Sequence, residues 1–154
     1  MATATFNISR ENILKQLYVD SAYVAQAREI AGVPEKLSRL IMITEDEVSY
    51  FDRIIKQALE ECTAAISLYL GRCSAKKGTG NNTYIAEIEL PANYPAERLQ
   101  SLADVTESII ACRCLQEWYL ATKPEEANIP TAKLQQQKER MRETLALRKR
   151  PVKE

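Results

Sequence analysis

The chain has 154 residues, 45% of them hydrophobic and 27% charged, which suits one globular domain and excludes wholesale disorder or a fibre. Lys+Arg and Asp+Glu number 21 each, so a net charge of zero gives no bulk electrostatic case for nucleic acid. Histidine is absent, which excludes Ser-His and Cys-His nucleophile pairs and His-containing zinc sites.

Residues 1–9 are small and polar and read as an extended arm. Ser9 can cap a helix that begins at Arg10. Ile13, Leu14, Leu17 and Tyr18 lie on one side of it, and the pattern resumes at Tyr23, Val24, Ala27, Ile30 and Ala31. Gly32-Val33-Pro34 breaks it. Residues 35–43, ending in Leu40-Ile41-Met42-Ile43, are apolar and fit either a strand or a helical turn.

The second helix has the strongest signal. Thr44 with Glu47 three residues later spells a capping box, and Glu45, Asp46 and Glu47 complement the positive end of the helix dipole. Val48, Phe51, Ile55, Ala58, Cys62, Ile66 and Tyr69 keep a 3/4 spacing. Gly71 stands where a left-handed residue ends a helix. The predicted helix over 45–70 is about 39 Å long.

Residues 73–82 form a polar, glycine-bearing loop. Tyr84, Ala86, Ile88 and Leu90 then alternate with Ile85, Glu87 and Glu89, the period of a strand with one wet face. A lone strand is unstable, so it needs a partner from residues 37–43, from residues 72–78 or from another subunit. Pro91 and Pro95 bracket a break. A third helix over 96–122 is apolar almost all round, which makes it the central one. Residues 123–130 read as a surface linker, and Thr131 as the cap of a last, charged helix over 132–148. Residues 138–154 hold seven Lys or Arg against three acids; the tail is +4 and residues 1–137 are therefore −4.

The expected architecture is mainly α: a bundle of about four helices with a projecting loop or β-hairpin between the second and third main helices. Its segments are an N-terminal arm and helical segment (1–43), a helical core with the hairpin at 72–91 (44–123), and a C-terminal charged helix and basic tail (124–154). No run of about 18 apolar residues predicts a membrane span, and the first residues lack the basic start and apolar core of a secretory signal. The four cysteines are then expected to be reduced.

The candidate constellations are modest. Cys112 and Cys114 lie about 200° apart on a helix and cannot chelate one ion together; they read, with Cys62, as buried small hydrophobes. The run from Gly71 to Gly80 has its lysines ahead of Gly78, out of order for a phosphate loop. The acid pairs at 60–61 and 125–126 look like solvated helix faces or ends. No catalytic, cofactor or metal site is expected. The basic tail reads either as a solvated helix end or as a docking arm for an acidic partner, with Arg140, Arg142, Arg148, Lys149, Arg150 and Lys153 as its cations. Trp118 beside Tyr119 reads as a core anchor.

Together, the acid-rich helix start at 44–47, the Tyr69-Leu70-Gly71-Arg72 run that ends this helix, the loop or hairpin after it, the buried helix closing on Trp118-Tyr119, and the charged last helix resemble the small head–tail connector proteins of tailed bacteriophages, also called head-completion or adaptor proteins. The resemblance spans about residues 44–150; the long N-terminal segment departs from it. It implies a non-enzymatic virion protein that forms a ring with itself, typically of twelve copies, beneath the portal protein. Such a ring joins the portal to tail or tail-completion proteins. Packaged DNA passes through it without sequence-specific contact, and no membrane takes part. Lys76, Lys77, Tyr84 and Ile88 are then expected at an inter-subunit or channel surface. The protein would be assembled in the host cytoplasm. The alternative reading is a soluble helical binding or regulatory module that uses its basic C-terminal tail on nucleic acid or an acidic partner.

Overall fold

The structure is a computed structural model and describes residues 2–78 and 82–149. Four long helices pack on a small three-stranded antiparallel sheet. The elements in chain order are β1 (Ala2–Ser9), α1 (Arg10–Ile30), the short α2 (Glu35–Ser38), α3 (Val48–Tyr69), β2 (Cys73–Lys77), β3 (Thr83–Leu90), α4 (Leu99–Thr122) and α5 (Asn128–Ala146). Turns of 3₁₀ helix precede α3, α4 and α5.

Local chemistry explains most boundaries. Ser9 Oγ accepts the Asn12 N–H at 3.1 Å and starts α1. The helix ends at Gly32, whose φ of 96° lets Gly32 N–H reach Glu29 O and Val33 N–H reach Arg28 O, the paired bonds of a Schellman motif. The Thr44–Glu47 capping box forms as read from the sequence, and the turn it caps, Glu45–Glu47, is 3₁₀ and leads directly into α3. Residues 35–41 resolve as helical turns, and Ile41 and Ile43 are buried. Ser21 Oγ, fully buried on α1, accepts the Ile43 N–H at 2.9 Å and fastens this segment.

The sheet order is β1-β3-β2. Its central strand is the one with the clear period of two, and both of its partners come from the same subunit. Residues 2–9 are therefore a full strand, with Ala2 opposite Leu90 and Ser9 opposite Thr83, where an arm was expected. Residues 73–77 supply the other neighbour, with Cys73 opposite Ile88 and Lys77 opposite Tyr84. Phe6 and Ile8 from β1 and Tyr84, Ala86, Ile88 and Leu90 from β3 share the buried face. Burial of that face drives strand pairing, since a slip of one residue would expose all six side chains.

Helix α4 is the axis of the molecule. It packs on α1, α3, α5 and β1, and Leu102, Ile110, Ala111, Cys114 and Tyr119 are among its buried residues. Trp118 is half-buried: its Nε1–H donates to Ile41 O at 2.8 Å, and its ring meets those of Tyr50 and Phe51 at centroid distances of 5.9 and 5.7 Å. Residues from β1 to α5 contribute to one continuous core.

Two expectations need correction. Gly71 is not a left-handed helix end; among the described residues only Gly32 has that conformation. Gly71 instead lets two backbones touch, since its N–H donates to Glu89 O at 2.8 Å. The last helix begins at Asn128 and not at 132, and the segment before it is a 3₁₀ turn over Pro124–Ala127. Pro130 sits in the first turn of α5, where its missing N–H costs nothing. Thr131 Oγ1 donates back to Ala127 O inside that helix, so it caps nothing.

Candidate functional site

Three surfaces collect the polar and apolar groups that the core does not use. The first is a cleft of about 730 Å³ between α3 and β2. Arg53, Lys56, Glu60 and Thr63 fall three and four residues apart on one face of α3 and form one wall; Ala75, Lys76 and Lys77 of β2 form the other. Tyr84 and Leu59 line the base. At one end Arg10 is held by Asp52, with Nε and Nη2 both 2.8 Å from Oδ1. Five cations thus face two carboxylates. Among the described residues, no ion pair or side-chain hydrogen bond engages Arg53, Lys56, Lys76 or Lys77.

The second surface is a groove of about 240 Å³ between α1 and α5, with α4 as its floor. Tyr23 and Val24 line one side, and Ile129, Pro130 and Lys133 the other. Tyr23 is 69% exposed and Ile129 61%. Tyr119 on the floor is buried, and its hydroxyl makes no hydrogen bond to another described residue. Burial, reinforced by Asp20 and Glu126, pushes this phenol well above its ordinary value; it remains a neutral hydroxyl able to donate.

The third surface is the start of the basic tail. Arg148 is exposed but engaged within the subunit: Nη1 donates to Leu145 O and Leu147 O, Nη2 donates to Tyr69 O at 2.9 Å, and the guanidinium lies 5.7 Å from the Tyr94 ring centroid. It closes the C-terminal end of α5 against that of α3 and is a structural clamp, not a free docking cation. Lys149 N–H donates to Asn93 O, which fixes the backbone one residue further. The side chains of Arg140, Arg142 and Lys149 are exposed, and Arg142 lines a shallow groove between α3 and α5 with Lys138 and Tyr69. Arg150 and Lys153 lie outside the described residues, as do residues 79–81 of the expected loop at 73–82.

Comparison with protein-family models, with curated proteins and with solved structures gives no match. The chemistry therefore stands on this chain's residues alone. Of the four residues read as an inter-subunit or channel surface, Lys76 and Lys77 are exposed on the edge strand. Ile88 is 1% exposed and Tyr84 is buried. These two are core residues of β3, because their alternation places them on the helix-facing side; Ile88 offers nothing to a neighbour. Arg10, Arg53 and Lys56 were missed, although the spacing of Arg53, Lys56 and Glu60 marks the polar face of an amphipathic helix.

The cysteines are free, and Cys62, Cys112 and Cys114 are buried. Desolvation raises Cys62 and Cys114 to about 12 and Cys73 to about 11, which suppresses the reactive thiolate. Among the described residues, no group of three or more His, Cys, Asp or Glu is placed to hold a metal ion. No helix among them is long and apolar enough to cross a membrane.

Proposed function

We propose that this chain is a structural, non-enzymatic subunit of a ring at the head–tail junction of a tailed phage, where it joins portal to tail and extends the DNA channel. The observation that carries the reading is the α1–α5 groove, with Tyr23 and Ile129 exposed at its rim and the buried Tyr119 ring on its floor. A second copy is the occupant that fits. The segment around α2 exposes Leu37 and Leu40, an apolar pair outside the lining of that groove. One patch that meets a different patch on the next copy is a heterologous contact, which closes into a ring when its rotation closes.

The strand β3 gives no support to assembly, since β1 and β2 satisfy both its edges. The tail beyond Leu147, with Lys149 and the exposed Arg140 and Arg142, would dock on portal or tail proteins. The alternative role on nucleic acid or an acidic partner through the same tail loses Arg148, whose guanidinium is engaged within the subunit. Negative-stain electron microscopy of the purified chain, alone and with portal protein, tests the reading. Closed rings of about twelve copies, alone or seated on portal, are expected; a strictly monomeric chain that ignores portal overturns it.

A further inference from the structure

The strand β2 is an edge of the sheet, and the direction of its ladder bonds decides what that edge offers. Gly78 N–H donates to Thr83 O at 2.8 Å, and Glu89 N–H donates to Arg72 O at 3.0 Å. In an antiparallel pair the bonded positions alternate, so residues 72, 74, 76 and 78 turn their backbone groups toward β3. Cys73, Ala75 and Lys77 turn theirs the other way, toward α3. The Cys73 N–H is taken there by Ser67 Oγ at 3.1 Å. Ala75 and Lys77 make no such bond among the described residues. Their free groups, about 6.6 Å apart along the strand, open into the cationic cleft walled by Arg53, Lys56 and Lys76.

We propose that this cleft is a β-augmentation site for an extended, acidic segment of a partner protein. The segment's main chain pairs with Ala75 and Lys77, and its carboxylates meet Arg53, Lys56, Lys76 and Lys77. Lysines on an edge strand ordinarily keep other strands away. Here cations stand on both walls, so the repulsion applies to neutral and basic strands and turns into attraction for an acidic one, which is how specificity is built from a penalty. Nucleic acid fits the cleft less well. Its lining aromatic, Tyr84, is buried, so bases find no exposed ring on which to stack, and the free ladder groups match a peptide repeat. The chain's own acidic runs at 45–47 and 125–126 are folded into 3₁₀ turns, so another copy has no extended acidic segment there to lend.

This inference adds a second docking surface to the assembly role proposed above and rests on that role; it is tested on the isolated full chain, so its failure is distinct from failure to form rings. The probe is a fluorescein-labelled, acetylated octapeptide of alternating glutamate and valine, followed by anisotropy. Saturable binding is expected, weakened at least about tenfold in the double variant Lys56→Glu with Lys77→Glu. Both side chains are exposed, so the variant keeps its melting temperature. Methylation of alternate peptide amides is expected to abolish binding by removing the ladder donors. No binding at millimolar peptide, or equal binding of the methylated peptide, overturns the proposal. Tighter binding of a twenty-residue oligothymidylate that the double variant loses would assign the cleft to nucleic acid and overturn it. A change in the variant's oligomeric state would assign it to a second copy, with the same consequence.

Discussion

A methyl group on Gly71 would lie 2.5 Å from Glu89 Cβ and 2.6 Å from Glu89 O, against a strand held by its own ladder. Neither backbone can retreat without breaking the bond between them, so Gly71→Ala is expected to cost about 1–3 kcal/mol, as overpacking does. Gly32 has open space around it but a φ of 96°; Gly32→Ala pays only for backbone conformation, about 1 kcal/mol. Urea unfolding of both variants checks the order, and equal losses would contradict it. Glu107 gives a pH-dependent test. It accepts the Ser9 N–H at 2.7 Å, yet burial dominates and holds its carboxyl above the ordinary value despite that bond. The folded chain thus keeps this proton longer than the unfolded chain does. The group's contribution to stability is complete below the ordinary carboxylate value and is lost as pH rises through the raised one. Glu107→Gln keeps an acceptor for Ser9 and removes the titration. Its stability relative to the parent should therefore rise between acidic and neutral pH, as read by urea midpoints; parallel curves would refute the assignment.

At the scale of elements, the strand that the sequence presents as an extended arm is integral to the core. Ile8 on β1 is fully buried beside Phe6, so Ile8→Ala is expected to cost about 2–5 kcal/mol, measured by chemical denaturation, whereas loss of a side chain on a free arm would cost almost nothing. The alternation of Ala4, Phe6 and Ile8 with Thr3, Thr5 and Asn7 was available as a signal, but it is short and its apolar members are small or few. β2 carried no signal at all: Cys73-Ser74-Ala75-Lys76-Lys77 is polar because an edge strand buries little, and its pairing is decided by β3. The helices were legible in outline because caps and 3/4 spacing are local. The start of α5 was misplaced because Pro130 and Thr131 resemble a boundary, while packing against α4 carries the helix through them.

Across the whole molecule, apolar side chains remain in solvent on α1 after the core is complete. Tyr23 and Ile30, at 69% and 81% exposed, lie together on the opposite side of the helix from Ile13, Leu14, Leu17, Ser21 and Ala25, which are buried. The double variant Tyr23→Glu with Ile30→Glu is expected to leave the monomer's melting temperature within about 0.5 kcal/mol equivalent of the parent and to abolish self-association in sedimentation velocity. Unchanged association would remove α1 from the proposed interface. By itself the amino-acid order determined the long helices, the central strand and the buried nature of α4, since each follows from neighbours a few residues apart. Only the tertiary structure decided that β1 pairs with a strand some eighty residues later, that Arg148 clamps two helix ends, and that Arg53, Lys56, Lys76 and Lys77 share one cleft. Those outcomes depend on contacts between distant segments, which local periodicity does not encode and which form only when burial of the common core outweighs the entropy of closing long loops.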